Sequence, residues 1–488
     1  MNQMTQPDIV HAVIIVDSDT IASAICPLQA LAMPHSDTPP TSNSTGGKAP
    51  NVAIVGGGLI GVMLGLGLSH RNIPFTIYER ASDWHEIGAG VALTSVAQSS
   101  MQRLHPEVLP ALHRVAKANH FGFWDGFTPS TKEAAQASEA LHFLLDVPGT
   151  DYWCCMRSQF LRELVALLPK GSTRFNKELE SYVDDPSREQ VLLRFTDGTT
   201  AEADTLLGAD GIHSRTRQLL LGDDNPAAHA SFTHQVGYRT VLPISESIEV
   251  LGEAKGGSDF CIHTGPNAYV PSYPMLDGTE KVLNLTTVIY TPEPWSHGER
   301  MVAPATHDEV AKVFQDWSPP IRDLIAKFPE QLMKWGIFDM ADHPAPTYAS
   351  GRVAILGDAA HASTPFLGAG GAMGIEDALA MASAMQIVRD AETSAATIPA
   401  ALQAFSAVRL ERSQWLVQSS REMGAIFQCR DPSAGSDGNR WRVEAEQRTK
   451  KIWEFDVDGM VEQIRLEFEQ RMAKAAHHLK EFMSCPAE

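Results

Sequence analysis

Positive charge is scarce in this sequence. The chain has 39 lysines and arginines against 59 aspartates and glutamates, which gives a formal net charge of -20. Nucleic acids and anionic membranes attract clustered basic side chains, so this deficit argues against both as partners. An acidic, solvated surface that aids solubility is the ordinary interpretation.

Cysteines and long apolar runs are also few. No two cysteines have the C-x-x-C spacing that would suggest a zinc site or an exchangeable disulfide. We therefore expect no metal site and a reducing, cytoplasmic compartment. No apolar run has the length needed to span a bilayer, and the short run 11–16 lacks the basic flank of a signal peptide.

The first 49 residues differ from the rest. Residues 33–50 are rich in proline, serine, threonine and glycine, a composition typical of a mobile linker. We expect a disordered N-terminal extension over 1–49. The 488-residue chain is long enough for two or three interlocked units around a large core.

The strongest pattern of the chain lies between residues 51 and 80. A strand-like run, a helical pattern and a second strand-like run follow one another at Val52–Val55, Leu59–Leu68 and Phe75–Tyr78. The turn after the first run fills the pattern G-x-G-x-x-G with Gly56, Gly58 and Gly61, and Glu79 and Arg80 follow the second run. Such a unit binds a dinucleotide, because the glycines admit the pyrophosphate and the acidic residue accepts the ribose hydroxyls. The alternative is a glycine-rich turn in another α/β protein.

Two further turns lie between this unit and residue 217. Arg157 opens a predicted helix, where it could lie along a cofactor or simply on the surface. A hairpin is predicted around Asp197-Gly198, and the sharp turn GADG at 208–211 follows it. A second phosphate-handling loop and an ordinary strand-to-helix turn both explain that turn, which contains Asp210.

The second half of the chain changes from strands to helices. Residues 232–338 contain strand-like runs that predict a separate antiparallel sheet, with helical spacing returning at 310–328. Arg352–Ala378 combines an apolar strand, Asp358 and a helix that begins near Gly371. Such an Asp suits a hydrogen bond to a sugar or sugar alcohol, and the helix N-terminus suits a developing anion. Further helical patterns at 378–388, 400–418 and 441–472 indicate packing and a candidate homodimer interface.

Three motifs in order, GGGLIG with Glu79, GADGIHSR and LGDAAHASTPFLGAGG, resemble the single-component FAD-dependent aromatic hydroxylases of the salicylate and para-hydroxybenzoate hydroxylase type. The local sequences GYRT, GPNAYVPSYP, IEDALA and KIWEFD are similar to the fungal polyketide branch. Enzymes of that branch hydroxylate and dearomatise resorcinol-type aldehydes in azaphilone, sorbicillinoid or tropolone pathways. The resemblance implies an α/β fold, in which a Rossmann-like FAD-binding domain is interleaved with an antiparallel-sheet substrate domain and followed by C-terminal helices.

The resemblance also assigns domains and cofactor contacts. It places the FAD-binding domain at 50–230 and 346–400, the substrate sheet at 231–345 with 121–150 joining it, and the helical region at 401–488. The residues that would contact bound FAD are Gly56, Gly58, Gly61, Glu79, Arg80, Gly88, Gly90, Ala92, Arg157, Asp358, Gly371 and Ala372. Asp210 would serve both FAD and the co-substrate NADPH.

For the substrate, the resemblance implies that Arg239 and Tyr273 hold a phenol. Taken without it, Arg239 is more often a strand arginine paired with a carboxylate, and Tyr273 a core aromatic. The loop GAGGAM and the tripeptide YRT depart from the commoner family pattern, which leaves the pocket undetermined. Three alternatives remain. Product analysis distinguishes a salicylate-type ring hydroxylase, and bound flavin with oxygen consumption would exclude a plain NAD(P)-dependent dehydrogenase. Catalytic activity would exclude a non-catalytic flavin-binding protein.

Overall fold

The structure is a computed structural model that describes residues 49–84, 90–127, 140–145, 152–298, 300–392, 394–435 and 437–484. The extension expected over 1–49, apart from its last residue, and Gly88 lie outside these ranges. Within them, no helix combines the length and apolar character needed to cross a membrane.

The strands of the described chain contribute to three sheets. In chain order they are β1 (Val52–Val55), β2 (Phe75–Tyr78), β3 (Gly90–Leu93), β4 (Lys117–Asp125), β5 (Leu141–Leu144), β6 (Tyr152–Met156), β7 (Thr173–Arg174), β8 (Leu179–Asp185), β9 (Gln190–Phe195), β10 (Thr200–Ala203), β11 (Thr205–Gly208), β12 (Ser231–Pro243), β13 (Asp259–Gly265), β14 (Ala268–Asp277), β15 (Glu280–Tyr290), β16 (Val302–Thr306), β17 (Gln331–Asp339), β18 (Ala349–Ser350) and β19 (Val353–Ile355).

The helices alternate with these strands in the first half and dominate the end of the chain. They are α1 (Leu59–His70), α2 (Ser95–Leu104), α3 (Val108–Val115), α4 (Arg157–Val165), α5 (Arg215–Leu221), α6 (Ile244–Glu253), α7 (His307–Val313), α8 (Pro319–Ile325), α9 (Asp358–His361), α10 (Gly370–Asp390), α11 (Thr397–Phe427), α12 (Gly438–Trp453) and α13 (Val457–Ser484).

A six-stranded sheet in the order β18-β19-β11-β1-β2-β7 forms the first layer, and it is parallel except at β18. Its central strand β1 is buried on both faces. Val52 and Ile54 pack on the helices, whereas Ala53 and Val55 pack on the antiparallel sheet β10-β9-β8. An unbroken apolar run is what a parallel strand covered on both faces requires. The carboxyl ends of β1, β2, β11 and β19 therefore share one edge, where ligands bind in such folds.

A ten-stranded sheet forms the second layer, in the order β16-β17-β12-β15-β14-β13-β4-β6-β3 with β5 paired to β4. It is antiparallel except where β13 runs parallel to β4. One face packs on α6, α7 and α8 through residues such as Leu283 and Leu285. The opposite face carries Tyr273, Phe260 and Phe123 in an aromatic cluster that α11 and α12 also join. The α/β architecture with an interleaved sheet and C-terminal helices is confirmed.

Most local predictions agree with the structure, and two helical predictions are wrong in detail. The region 310–328 forms two helices, because Pro319 and Pro320 begin α8 and cannot continue α7. The pattern at 441–472 also divides, into α12 and α13, with Glu454, Phe455 and Asp456 between them. The helix expected near Gly371 begins at Gly370.

Candidate active site

The glycine turn after β1 is tightly enclosed by backbone. Gly56 has a φ of +106°, and a Cβ placed on it would lie 2.4 Å from the carbonyl oxygen of Ala209. A Cβ on Gly61 would lie 2.0 Å from the carbonyl oxygen of Gly56. Gly58 differs, because its nearest neighbour is the Arg157 Nη2 atom, 3.7 Å from the Cβ position. The first and third glycines thus close the turn, while the second leaves space beside it.

The carboxylate of Glu79 braces the same turn. Its oxygens accept hydrogen bonds from the backbone N–H groups of Gly57 at 2.6 Å and Ala81 at 2.8 Å. Each carboxylate oxygen can accept more than one bond, so capacity for a ribose hydroxyl remains. The ring of Trp84 also lies on this turn, 2.9 Å from the Cβ position of Gly57. Arg80 follows as an exposed side chain.

Asp210 lies beside the glycine turn but uses its carboxylate within its own turn. Its oxygens accept from the Ser214 hydroxyl at 2.6 Å and from both the N–H and the hydroxyl of Thr216 at 2.9 Å. This pattern caps α5. The backbone is what meets the glycine turn, since the Asp210 Cα lies 2.9 Å from the Cβ position of Gly56.

Asp358 begins α9 after a turn at Gly357, whose φ is +62°. The Asp358 side chain is exposed, although its neighbours on both sides are buried. The buried guanidinium of Arg217 donates to the carbonyl oxygens of Ala359 at 3.0 Å and Ile212 at 2.6 Å. One arginine therefore ties the Asp358 turn to the turn that contains Asp210.

The remaining predicted cofactor contacts lie on β3, α4 and α10. Arg157 begins α4 and reaches the open side of Gly58, as noted above. Gly371, in the first turn of α10, has Val91 of β3 as its nearest neighbour, 3.4 Å from its Cβ position. Ala372 is buried beside it, and Ala92 is half-buried on β3. The fold thus brings β3 against the start of α10.

Arg239 and Tyr273 lie on one face of the ten-stranded sheet, joined by Asn284. The Arg239 Nε–H donates to Asn284 Oδ1 at 2.6 Å, and Asn284 is the cross-strand partner of Tyr273. The three residues occupy the adjacent strands β12, β15 and β14. A Cβ on Gly90 would lie 2.2 Å from the Tyr273 hydroxyl, so this face meets β3 directly. The predicted substrate residues and a predicted cofactor contact are therefore neighbours.

Burial perturbs both members of the predicted substrate pair. It raises the pKa of the Tyr273 phenol far above its ordinary value, although the Arg239 charge acts in the opposite direction. It lowers the pKa of the Arg239 guanidinium, which Tyr273 partly offsets. The ordinary pKa of an arginine side chain is so high that Arg239 stays protonated at neutral pH even after this decrease. The site thus presents a neutral phenol donor beside a fixed positive charge.

A family model described as an FAD binding domain matches residues 50–420. The chain belongs to this FAD-binding family.

Similar proteins span nearly the whole match. An "FAD-dependent monooxygenase" of Aspergillus terreus is 48% identical over 432 residues, covering 87% of this chain and 98% of the relative. "Salicylate hydroxylase asL1" of Sarocladium schorii is 37% identical over 449 residues, covering 87% and 92%. Among solved structures, a "Salicylate hydroxylase substrate complex" aligns with a TM-score of 0.73 and 26% identity, over 85% of this chain and 98% of that chain.

The residues of this FAD-dependent monooxygenase fit its cofactor. The turn at Gly58 is open on the side where the positively charged Arg157 side chain lies, which suits a pyrophosphate. Glu79 has acceptor capacity for the ribose, and Asp358 exposes a carboxylate at the same sheet edge. FAD is accordingly the resident nucleotide.

Several residues of this site were not predicted from the sequence. Asn284 could have been noticed, since asparagine is uncommon in the middle of a β-branched strand such as KVLNLTTVIY. Trp84 and Arg217 gave no comparable signal, because their roles depend on elements distant in sequence.

Proposed function

We propose that this enzyme uses NADPH and O2 to hydroxylate, with dearomatisation, a resorcinol-type phenolic aldehyde in fungal polyketide secondary metabolism. The observation that carries the proposal is the row Arg239, Asn284 and Tyr273, with the Tyr273 hydroxyl against Gly90 of β3. A cation and a phenol donor on a buried sheet face, next to the strand that adjoins the FAD layer, suit an anionic phenol as substrate.

Each member of the pair has a distinct role. Arg239 stabilises the phenolate by its fixed charge, which lowers the pKa of the bound phenol and makes its ring more nucleophilic. Tyr273, kept neutral by burial, donates a hydrogen bond and fixes the orientation of the ring. The orientation of the bound substrate decides which ring carbon can attack the electrophilic oxygen atom.

Aromatic side chains around the pair keep the site dry. Phe260 stacks on Tyr273 with ring centroids 4.7 Å apart, and Phe121 stacks on Phe260 at 4.6 Å. Tyr152 packs edge-on against Phe260 at 5.4 Å. Such a wall excludes water and offers a flat surface to an aromatic ring.

Bound FAD, once reduced by NADPH, would activate O2 and so provide the electrophilic oxygen atom that the substrate accepts. The residues that would hold it are Gly56, Gly58, Gly61, Glu79, Arg80, Gly90, Ala92, Arg157, Asp358, Gly371 and Ala372, and Asp210 would shape the turn shared with NADPH. When the ring carbon that is hydroxylated already bears a substituent, no hydrogen can leave to restore aromaticity. The product is then a hydroxydienone.

The domain organisation extends this proposal. We expect segments 50–230 and 346–400 to form the FAD-binding domain, and 231–345, joined by 121–150, to form the substrate domain. The helical region 401–488 would then be the part through which the protein forms a homodimer. The acidic surface and the absence of a disulfide pattern support a cytoplasmic location.

The test is to incubate purified protein with NADPH, O2 and a panel of resorcylic aldehydes, and to identify products by mass spectrometry and absorbance. We expect loss of aromatic absorbance, a mass gain of one oxygen and an unchanged carbon count. Arg239→Ala should abolish product while FAD remains bound. Arg430→Ala is the matched control, because Arg430 stacks on Tyr290 outside the substrate pair. Wild-type turnover by Arg239→Ala would refute the assignment.

A second candidate is salicylate-type ring hydroxylation, with or without decarboxylation. The similarity to salicylate hydroxylases in both sequence and structure favours it. Formation of carbon dioxide and a catechol from a salicylate-like acid, with no activity on the aldehydes, would select this alternative.

A further inference from the structure

A buried carboxylate fixes the turn that presents Asp358. Asp377 Oδ2 accepts the backbone N–H of Gly357 at 2.9 Å and lies 2.5 Å from His361 Nε2. Gly357 precedes α9 and His361 ends it, so one carboxylate holds both ends of this short helix. Asp377 is 0% exposed, whereas Asp358 is open to solvent at the sheet edge.

Asp377 remains charged in this setting. Burial alone would raise the pKa of its carboxyl, but His361 and Arg409 overcome that effect and hold the pKa at about 2. The Arg409 Nε–H donates to Asp377 Oδ1 at 2.7 Å. An ionised carboxylate accepts the Gly357 N–H more strongly than a neutral carboxyl would, so the pairing with Arg409 strengthens the support of the turn.

The ion pairs continue from Asp377 to the C-terminal helices. Arg409 Nη1 lies 2.9 Å from Glu376, and Arg412 makes two bonds of 2.8 Å to the same carboxylate. Arg412, 8% exposed, also donates to the carbonyl oxygens of Lys451 at 2.9 Å and Ile452 at 3.2 Å, at the end of α12. Its guanidinium lies 3.6 Å from the ring centroid of Phe455, between α12 and α13.

We propose that Asp377 is a positioning residue for FAD, and that the corner between α12 and α13 controls FAD retention through Arg412, Glu376 and Arg409. The inference rests on the proposed role of Asp358 in holding the cofactor. The network contacts the Gly357 turn on its buried side. Asp377 accepts the Gly357 N–H, and Arg409 donates to the Met373 carbonyl oxygen of α10. Loosening the corner therefore shifts the Asp358 carboxylate without changing it chemically.

The test measures the FAD dissociation constant of apoprotein variants by flavin fluorescence titration. Asp377→Asn should weaken FAD binding about ten- to a hundred-fold, as removal of a partner that orients a binding group does. Arg412→Met, which is remote from the open edge, should weaken it about three- to ten-fold. Arg421→Met is the control on the same helix α11, because its partners Asp339 and Asp342 lie outside the network. It should bind FAD as the wild type does.

A double-mutant cycle with Asp358→Ala separates positioning from general destabilisation. If Arg412 acts through the Asp358 turn, Arg412→Met should have little further effect on FAD affinity in the Asp358→Ala background. An equal loss in both backgrounds, or wild-type affinity in Arg412→Met, would overturn the inference. Should Asp377→Asn fail to fold, the Arg412 cycle alone decides. Undiminished FAD binding by Asp358→Ala itself would instead overturn the role of Asp358, and with it the route by which the network acts.

Discussion

At the scale of single residues, the substrate pair depends on a third side chain. Asn284 is 1% exposed and accepts the Arg239 Nε–H while standing opposite Tyr273 on the neighbouring strand. An amide can fix the guanidinium without adding a charge of its own. The relative position of cation and phenol donor is thus set by the register of three strands and one buried amide.

Asn284→Ala should lower kcat/KM about ten- to a hundred-fold with FAD still bound, because a displacement of about 1 Å in a positioning group has effects of this size. Asn284→Asp should also lower it, since a carboxylate would neutralise the Arg239 charge while keeping the hydrogen bond. Steady-state kinetics on the best aldehyde of the panel provide the measurement.

Thr287→Val on the same strand is the control for that prediction. Thr287 is buried and its side chain points to the opposite face of β15, because side chains alternate along a strand. Its kinetics should match the wild type. A comparable loss in both variants would show that damage to the sheet, rather than to the position of Arg239, lowers activity.

At the scale of elements, the β1-turn-α1 unit distinguishes glycines that close the turn from the one that leaves it open. Gly61 has no room for a methyl group, since the Gly56 carbonyl oxygen occupies the space. Gly58 has a φ of -70° and only Arg157 nearby. Gly61 is therefore needed for the packing of the turn, whereas Gly58 leaves the space for a ligand.

Gly58→Ala should give a folded protein with weakened FAD binding, because the added methyl group enters the space that the pyrophosphate would use. Gly61→Ala should instead reduce the yield of folded protein, because the close approach of α1 to the turn is lost. Circular dichroism melts and FAD titration distinguish the two effects. Equal melting temperatures and equal FAD affinity for both variants would contradict this division.

The elements that could be predicted from sequence are those with local signals. The β1-α1-β2 unit, the start of α4 at Arg157 and the start of α10 all follow from glycines, apolar periodicity or both. The division between α12 and α13 has a weak signal, because neither glycine nor proline lies between Trp453 and Val457 and only Asp456, which accepts the Gly459 N–H, marks the start of α13. Arg239 and Tyr273 depended on family resemblance, since strand register cannot be read from one sequence.

At the scale of the whole molecule, buried ion pairs connect the cofactor edge with the end of the chain. Asp377 and Glu376 lie on α10, and their arginine partners lie on α11, 32 or more residues later in the chain. Such pairs combine large desolvation costs with large electrostatic attraction. Removal of one partner leaves an uncompensated buried charge and therefore destabilises the folded protein far more than removal of both. This coupling could not be predicted from the sequence, because each charge alone fits a surface helix.

The network also predicts how stability depends on pH. The folded pKa of Asp377, about 2, lies below its ordinary 3.8, so its stabilising contribution is complete above about pH 4 and is lost as the pH falls towards 2. The shift corresponds to about 2 kcal/mol in the free energy of unfolding. In urea unfolding between about pH 5 and about pH 2.5, the stability of Asp377→Asn should depend less steeply on pH than that of the wild type.

A surface carboxylate serves as the comparison for this prediction. Asp458 pairs with Arg103 at 2.6 Å, but its side chain is 73% exposed and solvent screens the pair. Asp458→Asn should therefore follow the wild-type curve closely. Identical slopes for Asp377→Asn and the wild type would show that Asp377 does not titrate with folding.

The contact between Gly90 and Tyr273 limits how this pocket can be altered. Because the Tyr273 hydroxyl occupies the place of a side chain at position 90, the two positions cannot vary independently. Any residue larger than glycine at 90 requires a shorter side chain at 273, and so loss of the phenol donor. Libraries that aim to change substrate range should therefore leave this pair fixed and vary the far end of the aromatic wall at Phe121, whose ring lies against the rings of Phe123, Tyr152 and Phe260.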